Sequence, residues 1–527
     1  RFCKDYENGI RKTYLLHGVT GSGKTEVYME MIQSVVDKGK QAIVLIPEIA
    51  LTYQTVMRFY RRFKDRVSVM NSRLSAGERY DQMMRAKAGE VDVMIGPRSA
   101  LFTPFPNLGL IVIDEEHEPT YKSEQIPRYH ARETAVERAN LEGASVVLGS
   151  ATPSLEAFYR AQKGEYELLR LQNRAKMQEM PTVYTIDLRE ELKSGNRSII
   201  SGKLHELMAD RLRKRQQIML FINRRGFAGF ISCRSCGYVV KCPHCDVSLA
   251  SHRGGKLVCH YCGYEEPMIS VCPSCGSKHI GGFRAGTQQI EELVKKEFPD
   301  ARVLRMDMDT TKEKGGHEKI LEAFANEEAD ILIGTQMIVK GHDFPNVTLV
   351  GVLAADLSLY ADDYRAGERT FQLLTQAAGR AGRGSEKGEV VIQTYSPEHY
   401  SIETAAKQDY EAFYPEELAY RTMMGYPPVE QLAAILVTSE DESLLETACS
   451  YMKSYAERMN RSQVRIIGPA SPYVGKVNDV YRRVIYLKHA RYEAMIDLKN
   501  KLEQYIEINS GFRKVRVQFD FNPMNVF

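Results

Sequence analysis

Four groups of residues in this chain have the types and spacing to do chemistry. The first, Gly18-Val19-Thr20-Gly21-Ser22-Gly23-Lys24-Thr25, fits G-x-x-x-x-G-K-[ST], where small residues let backbone N–H groups wrap phosphates at a helix N-terminus. Gly18, Gly21 and Gly23 would shape the loop, Lys24 would hold the β and γ phosphates of ATP, and Thr25 would offer its hydroxyl to Mg2+. The second group follows the apolar run Leu110-Ile111-Val112-Ile113 as Asp114-Glu115-Glu116-His117, an acidic pair at a strand end. Asp114 would orient Mg2+ through its water shell, and Glu115 would polarise the attacking water as a base. This second group is completed farther on, where Gln376 leads into Arg380 and Arg383, spaced by nearly one helical turn. Guanidinium groups are always charged and make several hydrogen bonds, so this pair would act as arginine fingers on phosphoryl oxygens.

Cysteine supplies the third group. Eight of ten cysteines form four C-x-x-C pairs, Cys233/Cys236, Cys242/Cys245, Cys259/Cys262 and Cys272/Cys275, enough thiolates for two tetrahedral Zn2+ sites. A four-thiolate site leaves no position for water, so both zincs would be structural. An insertion must leave and re-enter its domain at nearby points, which favours nesting: the outer two pairs on one ion, the inner two on the other. Sequential pairing is the alternative. His244, His252 and His260 are read as surface residues beside this complete ligand set, and Cys3 and Cys449 as bystanders. The fourth group is the stretch 118–132, which mixes rings with cations: Tyr121, Lys122, Arg128, Tyr129 and Arg132. Rings stack on unpaired bases and cations meet phosphates, so this stretch would couple strand contact to Glu115.

These residues need elements to hold them. Tyr14-Leu15-Leu16, the Gly-rich turn and a helical pattern toward Val36 read as strand, loop and helix. Further apolar runs alternate with helical segments in two series, one up to Leu148 and one from Gln217 to Thr394, as parallel sheets flanked by helices require. We expect an α/β protein with two parallel-sheet domains, a zinc-binding insertion in the second, and a small α+β C-terminal domain. The expected boundaries are 1–171 for the first domain; 172–202 for a linker region, in which Thr182 to Asp187 is apolar enough to be structured; 203–230 and 281–400 for the second domain; 231–280 for the insertion; and 401–527 for the last domain. Composition sets few limits: 71 basic and 68 acidic residues leave a net charge of +3, which identifies no partner. No apolar run is long enough for a membrane span, and clustered C-x-x-C pairs suit a reducing compartment, so a cytoplasmic protein is expected.

Asp114-Glu115-Glu116-His117, Gly149-Ser150-Ala151-Thr152-Pro153 and Gln376 to Arg383 resemble, in residues and order, the motif series of superfamily 2 helicases. Pro47 to Thr52 and Gly96 to Ala100 resemble strand-contacting motifs of that series, and Ile333 to Asp343 its fifth motif. With Phe221 to Phe227 and the cysteine insertion added, the chain resembles the primosomal replication-restart DNA helicases over almost its whole length. The resemblance implies two RecA-like domains with ATP between them, Asp343, Thr335, Ser150 and Thr152 in nucleotide and coupling motifs, and nested zinc pairing. It further implies 3′ to 5′ movement on single-stranded and forked DNA, in a bacterial, nucleoid-associated setting. Implied partners are primosome and helicase-loading proteins and single-stranded DNA-binding protein. An RNA helicase, or a loading platform with incidental unwinding, is the alternative reading. The chain begins close to Lys24, so the adenine-reading glutamine motif and the family's N-terminal DNA-binding region are expected to be missing.

Overall fold

The computed structural model describes residues 1–51, 53–174, 180–222, 230–252, 255–281, 286–307, 310–311, 316–338, 344–384 and 386–524. The chain divides into two compact units, one of Arg1–Met180 and one of Pro181–Ile338 with Asn346–Phe527.

The first unit is built on β1 (Thr13–Gly18), β2 (Gln41–Leu45), β3 (Val67–Val69), β4 (Val93–Gly96), β5 (Leu108–Asp114), β6 (Ser145–Ser150) and β7 (Glu167–Leu171). All seven strands run parallel, in the order β3-β4-β2-β5-β6-β1-β7. Leu110 through Ile113 are completely buried, as the strands of a sheet covered on both faces must be, so β5 reads as a continuous apolar run. The register aligns Asp114 of β5 with Gly149 of β6, and Gly149 with Leu16 of β1. The acidic pair, the Gly149-Ser150 segment and the phosphate loop therefore emerge side by side at the carboxyl ends of three neighbouring strands, where open parallel sheets bind ligands.

The second unit has six parallel strands, ordered across the sheet as Val303–Met306, Ile331–Gly334, β9 (Gln217–Phe221), Val347–Val352, Glu389–Thr394 and β8 (Thr182–Asp187). The edge strand β8 and the helix Leu188–Lys193 lie within the stretch 172–202, so the part from Pro181 on belongs to the second unit. The cysteine-rich segment follows β9. Ser232–Cys233 pairs antiparallel with Ile280–Gly281, so the segment departs and returns at one place. Between them lies a small antiparallel sheet of Ala250–His252, Lys256–Val258 and Glu265–Pro267.

A five-stranded antiparallel sheet ends the chain, with Gln431–Ser439 paired to Val480–His489 and Arg516–Phe521. Side chains alternate between faces of a strand. Ala433, Ile435 and Val437 accordingly pack with Leu445, Met452 and Leu498 of the helices Glu442–Met459 and Tyr492–Ile508. Leu432 and Ala434 pack instead with Leu249, Leu257 and Tyr261 of the cysteine-rich segment. One strand thus carries two cores. Among the described residues no helix is long and apolar enough to cross a membrane.

Helix Ala366–Ala378, which leads to Arg380 and Arg383, is anchored by a buried ion triad. Arg421, on helix Tyr410–Met424, is 0% exposed and donates to Glu417 at 2.7 Å, to Glu368 at 2.9 Å and to the Pro427 carbonyl at 2.8 Å. Tyr400 donates its hydroxyl to the other Glu417 oxygen at 2.7 Å. Exchanging such a triad for apolar groups is often neutral, but removing one partner strands the others. Arg421→Met is expected to destabilise the second unit by about 3–5 kcal/mol, read as an earlier urea transition. Wild-type stability in that variant would show that the triad carries no net energy.

Candidate functional site

The phosphate loop turns from β1 into helix Lys24–Val36 through two residues with left-handed backbone, Gly21 at φ +79° and Gly23 at φ +86°, which only glycine adopts without strain. Gly18 is needed for a different reason: a Cβ there would lie 2.6 Å from the Ser22 hydroxyl. The Lys24 ammonium donates to the Gly18 carbonyl at 2.9 Å, folding the side chain back across the loop. Thr25, the next residue, is half-buried at the start of the helix.

One helical turn after Lys24, Tyr28 is buried and donates its hydroxyl to Asp114 Oδ1 at 3.0 Å. Burial and the neighbouring Glu115 push the Asp114 carboxyl up to about 6, while Lys24 and the Tyr28 hydrogen bond pull it down. A Cβ on Gly149 would fall 1.5 Å from the Tyr28 hydroxyl oxygen, so the glycine of Gly149-Ser150-Ala151-Thr152-Pro153 is what admits the tyrosine. Neither Tyr28 nor this use of Gly149 was read from the sequence. The available signal was the i, i+4 spacing from Lys24, which puts Tyr28 on the same helix face.

Glu115 has φ +47°, an uncommon conformation outside glycine, just where the chain leaves β5. Its Oε2 lies 3.6 Å from His117 Nδ1, and that nitrogen is 2.7 Å from Ser150 Oγ. Ser150 Oγ also accepts from the Thr152 amide at 2.9 Å. Glu116 makes a second bridge from β5 to the segment after β6: its carboxylate accepts from the Ser154 amide at 2.6 Å, the Ser154 hydroxyl at 2.9 Å and Arg132 at 3.0 Å. The acidic motif is thereby joined to Ser150, Thr152 and Ser154 by buried hydrogen bonds.

That network changes the reading of the stretch 118–132. Arg132, 5% exposed, is engaged by Glu116 and Glu133 and holds the motif rather than facing solvent. Tyr121 is 1% exposed, its hydroxyl donating to the Asp114 carbonyl at 2.7 Å and the Leu45 carbonyl at 3.0 Å, so its ring is not offered to a base. Lys122 is buried, with its ammonium on the Arg128 carbonyl at 2.9 Å. These three build the base of the loop. Arg128 and Tyr129 are half-buried nearer its surface. Tyr129 packs edge-on against Phe102, 5.1 Å between ring centroids, and beneath the Arg98 guanidinium, which also donates to the Thr120 and Lys122 carbonyls. Alternation of aromatic and basic types in sequence does not tell inward from outward residues when a loop folds on itself.

In the second unit Gln376 lies near the end of helix Ala366–Ala378, and Arg380 and Arg383 follow in the turn beyond it, so their spacing is not helical. Arg383 Nε donates to the Gly379 carbonyl at 2.8 Å. Gly382, φ +69°, makes the turn possible: a Cβ there would be 2.3 Å from the Gly388 nitrogen. Asp343, and Asn223 to Phe227, lie outside the described residues.

The cysteines resolve into two clusters, Cys233, Cys236, Cys272 and Cys275, and Cys242, Cys245, Cys259 and Cys262, each with all sulfurs within 4.8 Å of one another. Pairing is nested. Sulfur separations of 3.7 Å for Cys233–Cys275 and Cys236–Cys272, and 3.6 Å for Cys242–Cys262, match the roughly 3.8 Å edge of a tetrahedron with Zn–S bonds of about 2.3 Å. The donor set fits zinc, one ion per cluster. The residue after each pair, Gly237, Asp246, Gly263 and Gly276, has positive φ, and its amide donates to the carbonyl of the pair's first cysteine. This fourfold turn was legible as glycine after three of the four pairs. Tyr426 donates its hydroxyl to the Cys245 carbonyl at 3.2 Å, tying a cluster to the turn between helix Tyr410–Met424 and the strand with two cores.

Known families match along the chain in the order of these features: DEAD/DEAH box helicase over residues 5–160, PriA DNA helicase Cys-rich region over 242–267, helicase conserved C-terminal domain over 277–385, and primosomal protein N C-terminal domain over 422–524. Replication restart protein PriA of Chlamydia pneumoniae is 40% identical over 98% of this chain and 69% of its own length. The chain belongs to the PriA family. PriA of Bacillus subtilis (strain 168) is 49% identical over 97% of the chain, and that of Synechocystis sp. 44% over 97%. The chain spans 64% and 62% of those two proteins. The PriA Cys-rich match begins at Cys242 and contains the whole inner cluster, while the outer cluster closes the module where it joins the second sheet.

Proposed function

We propose that this chain is the ATP-driven motor of a DNA helicase or translocase, moving 3′ to 5′ on branched or forked DNA during replication restart and primosome assembly. The observation that carries the reading is the meeting of Lys24, Asp114 and Glu115 at neighbouring strand ends, with Glu116 and His117 bonded to Ser154 and Ser150. Lys24 exchanges the Gly18 carbonyl for phosphate oxygens, and the Gly-rich turn supplies amide donors around them. Bound Mg2+ neutralises charge on the transferring phosphoryl group. Thr25 and Asp114 hold its ligand sphere, with Asp343 added by family likeness. Tyr28 keeps Asp114 in place, and Glu115 orients the attacking water and takes its proton. Gln376, Arg380 and Arg383 complete the charge stabilisation when the two domains close on ATP. A change at Glu115 during hydrolysis is passed through His117 and Glu116 to the segment after β6, and opening and closing then become stepwise grip on one strand. Primosome and helicase-loading proteins and single-stranded DNA-binding protein are the partners this role calls for.

ATP hydrolysis in the presence of single-stranded DNA, of RNA of the same length, and of neither tests the reading, together with ATP-dependent strand displacement on forked DNA. Strong stimulation by DNA with displacement is expected. Preference for RNA would replace the assignment with an RNA helicase, and stimulation without displacement would favour a loading platform. Within the loop, base stacking is assigned to Tyr129 rather than Tyr121. Tyr129→Ala is expected to raise the DNA concentration for half-maximal stimulation by about fivefold or more, given that one stacked base contributes about 1–3 kcal/mol. An unchanged midpoint would remove Tyr129 from the strand path.

A further inference from the structure

The loop that turns β1 into helix Lys24–Val36 has a neighbour that its motif does not announce. β7 pairs parallel with β1 in a register that sets Leu171 beside Gly18, and the Val19 amide donates to the Leu171 carbonyl at 3.2 Å. The chain leaving β7 therefore starts out along the phosphate loop. Its next two residues, Gln172 and Asn173, are exposed, whereas Arg174 is half-buried. A Cβ built on Gly21 would stand 4.0 Å from Arg174 Cγ, so the stem of the arginine closes the space beside that glycine. Burial pulls the Arg174 guanidinium below the ordinary arginine range, because the cation gives up part of its hydration there.

The order of strands fixes which end of a nucleotide reaches this arginine. Across the carboxyl edge of the sheet the strands run β5-β6-β1-β7. Asp114 and Glu115, the groups for Mg2+ and the attacking water, stand at the end of β5, and the loop itself rises from β1. A nucleotide whose phosphates rest on the loop, with the terminal phosphate toward β5, carries its nucleoside on the β7 side. Lys24, Thr25, Asp114 and Glu115 all serve the phosphate end. Arg174, three residues beyond β7, is placed for the other end.

We propose that Arg174 is a nucleotide-binding residue whose planar guanidinium lies on the purine face of ATP. This rests on the phosphate-loop reading of Gly18 to Thr25. A guanidinium is flat, keeps its charge and stacks on aromatic faces, so it grips a base by its π face without needing particular edge atoms. The same contact returns to the cation some of what burial takes from it.

Calorimetric titration of the whole chain with ADP and, separately, with inorganic pyrophosphate, both with Mg2+, tests this, because pyrophosphate offers the phosphates without the nucleoside. Arg174→Ala is expected to weaken ADP binding by about tenfold, as loss of a partly desolvated cation–π contact does, and to leave pyrophosphate within about twofold of wild type. Arg174→Lys keeps the charge and a stem beside Gly21 but not the plane, and is expected to lose ADP affinity in the same direction. Unchanged ADP affinity in both variants would overturn the proposal. Equal loss of ADP and pyrophosphate in both would overturn it as well, by making Arg174 a prop of the loop. Wild-type protein that binds neither ligand would overturn the phosphate-loop reading itself, which separates that failure from one at Arg174.

Discussion

Glu115→Gln is expected to lower ATP turnover by about 100- to 10,000-fold, the range associated with loss of a general base. The amide keeps the size of the side chain and its neighbour His117 but cannot accept the water's proton. Nucleotide affinity is expected to stay near wild type, because Lys24, the loop amides and Asp114 are untouched. Lys24→Ala should behave differently, losing the ammonium that now rests on the Gly18 carbonyl and with it ATP binding as well as hydrolysis. Equilibrium binding of a fluorescent ATP analogue beside steady-state turnover separates the two. A Glu115→Gln protein that hydrolyses ATP at the wild-type rate would move the base elsewhere in the motif.

Loss of zinc is the second large effect expected. Structural zinc contributes about 10–16 kcal/mol of apparent binding free energy, which in a module this small is the free energy of folding it. The segment 231–280 has only short strands, and its apolar residues Leu249, Leu257 and Tyr261 share a core with Tyr426 and Tyr486. Chelation, or Cys259→Ser in the fully buried position of the inner cluster, is expected to unfold the module and expose it to protease between 231 and 280. ATP binding by the first unit should survive, since none of the thiolates belong to it. Metal release followed with a chromogenic chelator, alongside timed proteolysis, reads both events. Continued protease resistance after complete zinc removal would show that packing alone holds the module.

Much of the architecture was legible because its signals are local. Continuous apolar runs gave the parallel strands, and the change of pattern after Tyr400 marked a small α+β domain, whose sheet the structure shows to be antiparallel. The double burial of Gln431–Ser439 was not legible, because one strand facing two cores looks like any other apolar run. The stretch 118–132 shows the opposite failure, where polar and aromatic residues typical of a binding loop proved partly to be its foundation. Burial of Tyr121 and Arg132 is decided by Asp114 and Leu45, at the ends of β5 and β2, and by Glu116 and Ser154, in the segments after β5 and β6.

The sequence by itself determined the phosphate loop, the acidic pair and the four C-x-x-C pairs, because each depends on residues a few positions apart whose geometry one turn of backbone sets. The order of strands in the sheet is a global property. Only the tertiary structure could bring Tyr28 to Asp114, require Gly149 to make room for it, link Glu116 to Arg132 and Ser154, select nested over sequential cysteine pairing, and turn His252 and His260, expected at the surface, toward each other. Those contacts join residues separated by a few to more than eighty positions, and what brings them together is the packing of neighbouring elements rather than any local pattern.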